Sequence, residues 1–452
     1  MTSDEPAGRR VAAGRLRLSA QGPAPTRTPG VRVVLDARAL QDPDRAPTTA
    51  AYLEGLLSAF DAEPLVGESF AFLLQSDLDD PTERFEHLAV IGRRLLPPTR
   101  LLRSGALTVD PFLLRGASLG AAWRAERQGA AGAVYHTASG ALPLLSRIPT
   151  VVTLLDLAPW ELPGAFQRRV AGRFGQRLRG QLLRDASAVI VPSERVGTAA
   201  RRLLHLRRDR IRVVPLAPRP AFRAAGLARD AASGADKPTA ASSFDVTAER
   251  ERLGVQERYL VYSARFDARQ DLPTLFTALA ELASAGRLRS LATDVPWPPR
   301  ILLVGATPDD RAALARAAAQ HGVGEALTYA PALDTSRLAG LVAAARAAIL
   351  PVASDAAGLS ALEAVAAGTP VIASALGALP EMVGAAGVLV EPRDPARLAV
   401  ALRTVWSDDR VHGRLVAAAR KRATTEQRTW AAVARETREV YAEVGARSGR
   451  AT

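Results

Sequence analysis

One repeated unit constrains this chain more than any other feature: a short, largely apolar, often β-branched run followed by a stretch with helical spacing. The first run is Val31–Leu35, and others follow at Ser69–Leu74, Ala133–Tyr135, Thr150–Leu154, Ala188–Val191 and Ile211–Val214. Between them, Ala51–Phe60 and Phe166–Leu183 carry helical spacing. Runs without a polar face must be covered on both sides, which is the condition of a parallel strand between helices. Residues 224–246 interrupt the pattern with small and polar residues and Pro238, and read as a flexible insertion. A second series then begins, with strands at Tyr259–Ser263, Arg300–Val304, Ala326–Tyr329, Ala347–Pro351, Pro370–Ser374 and Gly387–Val390. The fold class is therefore α/β, with two doubly wound parallel-sheet domains facing a central cleft. Ligands of such sheets bind beyond the carboxyl ends of the strands, at helix N-termini.

This reading divides the 452 residues into five parts. Residues 1–29 are polar, carry Pro23, Pro25 and Pro29, and read as a disordered lead. With no apolar stretch of a secretory leader there, the expected location is the cytoplasm. Residues 30–220 form the first domain, 221–254 a linker with the low-complexity insertion, 255–425 the second domain and 426–452 a closing helix and tail. No stretch reads as a membrane span: the uncharged run Ala364–Pro380 is shorter than the ~20 residues a span needs, and Gly368-Thr369-Pro370 breaks it.

Cysteine is absent, which removes thiolate nucleophiles and cysteine zinc sites. The five histidines, His87, His136, His205, His321 and His412, are too far apart in sequence for a helical metal-binding pair. The net charge of +13 is carried almost entirely by arginine and suits an anionic partner, although GC-rich coding bias produces the same composition. Aromatic residues make up 5%, with none interleaved among the basic ones, so no nucleic-acid partner is expected.

The densest chemical signal lies in residues 351–381. A strand ends near Pro351, a loop of small residues containing Asp355 follows, and a helix starts near Leu359 and carries Glu363. The first helix turn offers N–H groups around Gly358, Leu359 and Ser360, whose partial positive charge suits a diphosphate. Glu363 and Asp355 would flank it as acceptors for sugar hydroxyls. A plainer account of Glu363 is a capping box with Ser360.

These residues resemble the retaining glycosyltransferases of the GT-B fold, in the large family 4 group. There, two glutamates separated by seven residues enclose a Gly-Phe-Gly-Leu-Pro run, and Glu-Ala-Met-Ala-x-Gly-Thr-Pro-Val follows. This chain has Asp355, seven residues, then Glu363, with Gly358-Leu359 inside and Glu363–Val371 matching the tail. Asp355, Ala357 and Ser360 replace the glutamate, aromatic and proline. Tyr262–Leu272 resembles the strand and loop whose arginine and lysine bind the donor diphosphate; Arg265 matches the arginine and Gln270 stands at the lysine. Val34–Ala37, Val151–Leu157, Ala188–Glu194 and Val213–Pro218 resemble stretches of the family's first domain, and Trp430 fits an aromatic of its closing helices. Thr48-Thr49-Ala50-Ala51-Tyr52 stands for a glycine-rich loop, and Leu155 for a histidine before Asp156.

The resemblance implies two Rossmann-like domains and transfer of a hexose from a nucleotide diphosphate sugar to a hydroxyl acceptor, with retention and without metal or other cofactor. Arg265, Gln270 and Asp156 would carry catalysis. Arg265, Arg269, Asp355, Gly358, Leu359, Ser360 and Glu363 would bind the donor. His136, Thr48 and Thr49 would lie on the acceptor side, with a structural histidine as the alternative for His136 and a turn cap for Asp156. The acceptor class is lipid-linked or polysaccharide. Arg168, Arg169, Arg173, Arg177, Arg179 and Arg184 lie along one helical stretch and suit either peripheral contact with the inner face of a membrane or a solvated surface. Asp77-Leu78-Asp79 matches a metal-binding tripeptide but reads as a solvated loop. The gaps at Gln270 and Leu155 keep a second reading open: a catalytically silent GT-B protein that binds sugar nucleotide or supports a partner enzyme.

Overall fold

A computed structural model describes residues 31–99, 109–115, 132–232, 245–289, 291–292 and 294–448. The proposed lead at 1–29 and the middle of the proposed insertion lie outside them. The first sheet contains β1 (Arg32–Asp36), β2 (Ser69–Gln75), β3 (Val90–Leu96), β4 (Ala133–Thr137), β5 (Thr150–Thr153), β6 (Ala188–Val191) and β7 (Ile211–Val213), in the order β3-β2-β1-β4-β5-β6-β7. The second contains β8 (Leu260–Ser263), β9 (Ile301–Val304), β10 (Leu327–Ala330), β11 (Ala347–Leu350), β12 (Val371–Ser374) and β13 (Gly387–Val390), in the order β10-β9-β8-β11-β12-β13. All pairings between these strands are parallel. Central strands are buried on both faces, as their apolar composition requires: every residue of β4, β5, β6, β9, β11 and β12 is buried.

Two departures from the sequence reading have clear causes. β3 was not expected: Gly92-Arg93-Arg94 interrupts its apolar pattern, which an edge strand tolerates because one side faces solvent. Pro220–Ala232 is a helix, so the segment from residue 224 is not flexible as expected; it packs on the helix Thr335–Ala344 of the second domain. Its Ala-rich composition favours helix as strongly as it suggests low complexity.

In both sheets the chain order reverses at one point, between β1 and β4 and between β8 and β11. The crevice beyond the carboxyl ends at such a point is where doubly wound sheets bind ligands. The loops after β1, β5, β8 and β11 all emerge at these carboxyl edges.

The chain crosses between domains through residues 214–219 and returns through 426–429. The helix Trp430–Ser448 then packs on Pro47–Ala62 of the first domain. Gly55 makes that approach possible, since a Cβ there would sit 2.2 Å from the Trp430 ring. Arg438 completes the docking: it pairs with Glu68 at 2.6 Å, both side chains at least nine-tenths buried, and its guanidinium lies 4.6 Å from the Phe60 ring centre. Arg428 ties the two crossings together by donating to the Pro215 carbonyl while pairing with Glu436 at 2.5 Å. Among the described residues, no helix is long and apolar enough to cross a membrane.

Candidate active site

The loop after β8 supplies Arg265, Arg269 and Gln270. Arg265 is half exposed and reaches across the cleft, its Nη1 donating to the Arg45 carbonyl. Arg45 lies just before the helix Pro47–Ala62, whose first turn holds Thr48 and Thr49. That helix has no side-chain cap, and its first backbone bond is donated by Ala50 to Ala46, so the Thr48 and Thr49 N–H groups precede the intrahelical ladder. A guanidinium and the positive end of a 16-residue helix thus meet between the domains.

The loop after β11 supplies Asp355 and a second helix start. Leu359–Ala366 begins at Gly358, which holds φ +64°. A side chain at Gly358 would also meet Met382 Cγ at 2.7 Å. The Asp355 Oδ1 accepts the Gly358 N–H at 2.7 Å and so closes the turn. Gly358 N–H is therefore not free for a phosphate, and Leu359 is buried against first-domain residues. Burial pushes the Asp355 carboxyl above its ordinary range despite the hydrogen bonds it accepts, and the charges of Asp156 and Glu161 push the same way. The free end of this helix is presented by Leu359, Ser360 and Ala361, because the first intrahelical bond runs from Leu362 to Gly358. Ser360 is exposed and takes no part in a capping box; Gly358 is the cap.

Glu363 is buried on the inner side of this helix, one turn in. Its two oxygens take Arg219 Nε at 2.6 Å and Nη2 at 3.0 Å, and Arg219 Nη1 continues to Thr335 Oγ1 at 3.0 Å. Burial lowers the Arg219 pKa, but the hydrogen bonds and charge of Glu363 more than reverse that, holding it above its ordinary value. Arg219 was missed in the sequence. The available signal was physical: an acid on the buried side of a helix needs a cation, and Arg219 follows the Val213–Pro218 motif at the first crossing.

Gln270, expected in catalysis, is committed elsewhere. Its Oε1 accepts the Tyr262 hydroxyl at 2.6 Å and its Nε2 donates to the Arg265 carbonyl at 3.0 Å, so the side chain braces the loop that carries Arg265. Arg269 also has partners in both domains. It pairs with Asp267 at 2.5 Å and with Asp156 at 2.6 Å, and lies 4.9 Å from the Phe166 ring centre. Asp156 caps the turn through Ala158 N–H at 2.9 Å and simultaneously faces the cleft. Its burial raises the carboxyl pKa, yet the hydrogen bonds and charge of Arg269 prevail and hold it below the usual carboxylate range. Nearby, Ser354 donates to Glu161 at 2.5 Å, a further contact between the domains.

His136 does not face the cleft. It is fully buried, with Nε2 2.9 Å from Thr153 Oγ1 and Nδ1 2.6 Å from the Tyr441 hydroxyl, while Tyr52 joins Thr153 at 2.9 Å. Burial pushes its pKa down to about 3, so the ring is neutral. It is a core histidine that ties the closing helix to the first sheet. Leu155 is buried as well. Of the six arginines around the helix Val170–Asp185, Arg179 turns inward over Trp160, its Nη2 donating to the Ser139 carbonyl, whereas Arg168, Arg169, Arg173, Arg177 and Arg184 are exposed. Asp77 and Asp79 stand in the turn after β2, which Gln41 holds through the Leu78 and Asp79 carbonyls. Among the described residues, no three His, Cys, Asp or Glu side chains gather as a metal site would need.

Comparison with known proteins agrees with this fold. The family described as "Glycosyl transferases group 1" matches residues 257–408, and the "Glycosyl transferase 4-like domain" matches 67–217. The glycogen synthase of Mycobacterium tuberculosis is 38% identical over 126 residues, covering 27% of this chain and 30% of that protein. A D-inositol 3-phosphate glycosyltransferase of Xylanimonas cellulosilytica is 29% identical over 310 residues, 67% of this chain and 66% of that one. The matched stretches thus span from under a third to about two thirds of these relatives. Among solved structures, sucrose-phosphate synthase from Thermosynechococcus elongatus superposes with a TM-score of 0.64 at 22% identity, covering 92% of this chain and 100% of that one. Anabaena HepE in complex with UDP-glucose gives 0.62 at 16% identity, covering 91% and 99%. At such identities the structural likeness speaks for the fold. Taken with the sequence matches in both halves, it places the chain among the GT-B glycosyltransferases of the family 4 type.

Proposed function

We propose that this protein transfers a hexose from a nucleotide diphosphate sugar to a hydroxyl acceptor, with retention at the anomeric carbon and without a metal ion. The observation that carries this reading is the meeting, at the carboxyl edges of both sheets, of Arg265 with the open helix start at Thr48-Thr49. Arg265 and the helix ends at Thr48-Thr49 and Leu359–Ala361 offer the diphosphate a fixed positive environment. Negative charge grows on the leaving phosphate as the glycosidic bond breaks, and preorganised donors stabilise that growth without reorganising. Glu363, held by Arg219, keeps lone pairs for the hydroxyls of the donor ribose, and Asp156 faces the acceptor side. HepE, a structural neighbour, was solved with UDP-glucose, which makes a UDP-sugar the first donor to test.

A specific observation also favours the silent alternative. The leaving-group lysine of the family is Gln270, occupied by Tyr262, and Arg269 is neutralised by Asp156 and Asp267. One lost donor to developing charge costs on the order of a hundredfold in rate, so Arg265 must carry more of the work. Calorimetry with UDP-, GDP- and ADP-sugars, paired with a donor-hydrolysis assay in EDTA, separates the readings. Slow turnover in EDTA with the product anomer retained supports the enzyme; tight binding with no turnover across a broad acceptor panel refutes it.

The acceptor belongs to a lipid-linked or polysaccharide class, and the site of action is the cytoplasm, at the inner face of the membrane. What supports this is the helix Val170–Asp185, where exposed Val170 and Phe174 stand among the exposed arginines and no acid occurs before Asp185. Apolar tips within a basic face bind anionic lipid surfaces. Co-sedimentation with phosphatidylglycerol vesicles, lost in F174S/R177S, is the expected result; equal retention on neutral phosphatidylcholine vesicles would count against it.

A further inference from the structure

The second domain carries a basic cavity on its far side. It measures about 780 Å³, within the ~300–1,000 Å³ of small-molecule sites. Its walls come from residues just before the strands: Arg258 precedes β8, Arg346 precedes β11 and Pro370 precedes β12. Four-residue β8 spans roughly 13 Å, so this cavity and the cleft lie at opposite ends of the same strands.

Arg229, Arg258, Arg346 and Arg420 line it together with His412. These four guanidiniums share two carboxylates. Asp230 Oδ1 takes Arg229 at 2.9 Å and Arg420 at 2.7 Å, and Asp409 Oδ1 takes Arg346 at 2.5 Å and Arg258 at 3.7 Å. The pair at Asp409 is graded by depth. The Arg346 side chain is 9% exposed and Arg229 24%, while Asp409 is 74% exposed; Glu257 and Asp294, which also line the cavity, are exposed at its rim. At the other pair Arg420 and Asp230 are exposed to similar extents, 45% and 37%, so the cation that water screens least is Arg346. Burial, followed by the Arg346 charge, lowers the His412 pKa, and burial together with Arg258 lowers that of Arg346 despite Asp409.

The cavity also touches the end of the helix that carries Glu363. A Cβ at Gly368, two residues past Leu359–Ala366, would lie 2.7 Å from Arg229 Nη2 and 3.1 Å from Arg420 Cγ. Arg229 and Arg420 thus pack against the carboxyl end of the helix whose amino end faces the cleft.

We propose that this cavity is a second anion site, which takes a phosphomonoester of sugar size and couples its occupancy to donor binding through the helix Leu359–Ala366. Guanidinium forks match phosphate oxygens, and the volume leaves room for the sugar. Coupling between two sites is reciprocal, so an effector that changes donor affinity is itself bound differently once donor is present.

The test is calorimetry on the full chain with inorganic phosphate and glucose 6-phosphate, with glucose as the uncharged control, followed by UDP titration with and without glucose 6-phosphate. R258Q/R420Q removes two cations outside the cleft, whereas R265Q alters the cleft alone. The expected result is tenfold or greater loss of glucose 6-phosphate affinity in R258Q/R420Q, retention in R265Q, and a threefold or larger shift of UDP affinity by glucose 6-phosphate in the unsubstituted protein only. UDP binding by R258Q/R420Q shows that this variant is folded. Loss in R265Q instead, or no binding of either phosphate compound at millimolar concentration, overturns the site. Binding without any shift in UDP affinity overturns the coupling.

Discussion

Two regions of the molecule are held by physically different contacts. At the mouth of the cleft the contacts are polar and partly wet: Asp156 with Arg269 at about a third exposure each, Ser354 with Glu161, and Arg265 with the Arg45 carbonyl. Where the closing helix returns to the first domain, they are dry: Trp430 on Gly55, Arg438 with Glu68, and Tyr441 with His136. Partly exposed ion pairs contribute about 1 kcal/mol or less, whereas leaving one partner of a buried pair alone costs about 3–5 kcal/mol. The mouth should therefore part more readily than the closing helix leaves the first domain.

The comparison breaks most sharply at Glu68. Glu68→Ala leaves the Arg438 guanidinium buried without its acid, and urea unfolding of the transition that includes the first domain should lose about 3–5 kcal/mol. Replacing both residues with apolar ones of similar volume should restore much of it. Gly55→Ala tests the same region by overpacking: with a Cβ 2.2 Å from the Trp430 ring, either the helix or the ring must shift, at about 1–3 kcal/mol by the same measurement. Loss of less than half a kcal/mol in both variants would mean that the closing helix is not what holds the first domain.

Arg219→Ala joins stability to the site. Glu363, 5% exposed, would lose its fork, and the Arg219 side chain, 24% exposed, makes the expected stability loss smaller, about 1–3 kcal/mol. On the proposed role of Glu363 at the donor ribose, UDP affinity should fall at least tenfold, because its carboxylate is no longer oriented. Arg219→Lys should recover stability better than affinity, since an ammonium cannot reproduce two parallel bonds. Unchanged UDP binding in Arg219→Ala would separate Glu363 from the donor.

How far the sequence reached depends on distance along the chain. Strands such as β5 and β12 were legible because four consecutive buried residues leave no other role. β3 was not, because an edge admits Arg93 and Arg94. The loop after β11 was legible as a turn and helix start, but the use of its groups was not. Asp355 spends its Oδ1 on a neighbour three residues away, while Glu363 finds Arg219 across 144 positions and His136 finds Tyr441 across 305. Local pattern reveals that an acid or a histidine stands near a strand end. It cannot reveal which distant element will bury it.

The smallest effect is expected at the mouth, and it is read as shape. Asp156→Asn removes the charge that holds Arg269 and keeps the cap on Ala158, so unfolding should change by about 1 kcal/mol or less. The separation of the domains, measured by small-angle scattering, should nevertheless widen, and high salt should widen the unsubstituted protein in the same way. Acid gives the same answer with a sign. The folded Asp156 carboxyl lies below its unfolded value near 3.9, so its contribution is complete above about pH 4 and is lost as pH falls through the lower folded value. Asp355 acts in the opposite sense: its raised carboxyl takes a proton first and relieves crowding with Asp156 and Glu161. Acidification should therefore leave the mouth closed through the titration of Asp355 and open it only in the range where Asp156 is protonated. In Asp156→Asn the domains should already be apart at neutral pH. An opening that begins near neutral pH in the unsubstituted protein would assign the closure to groups other than this pair.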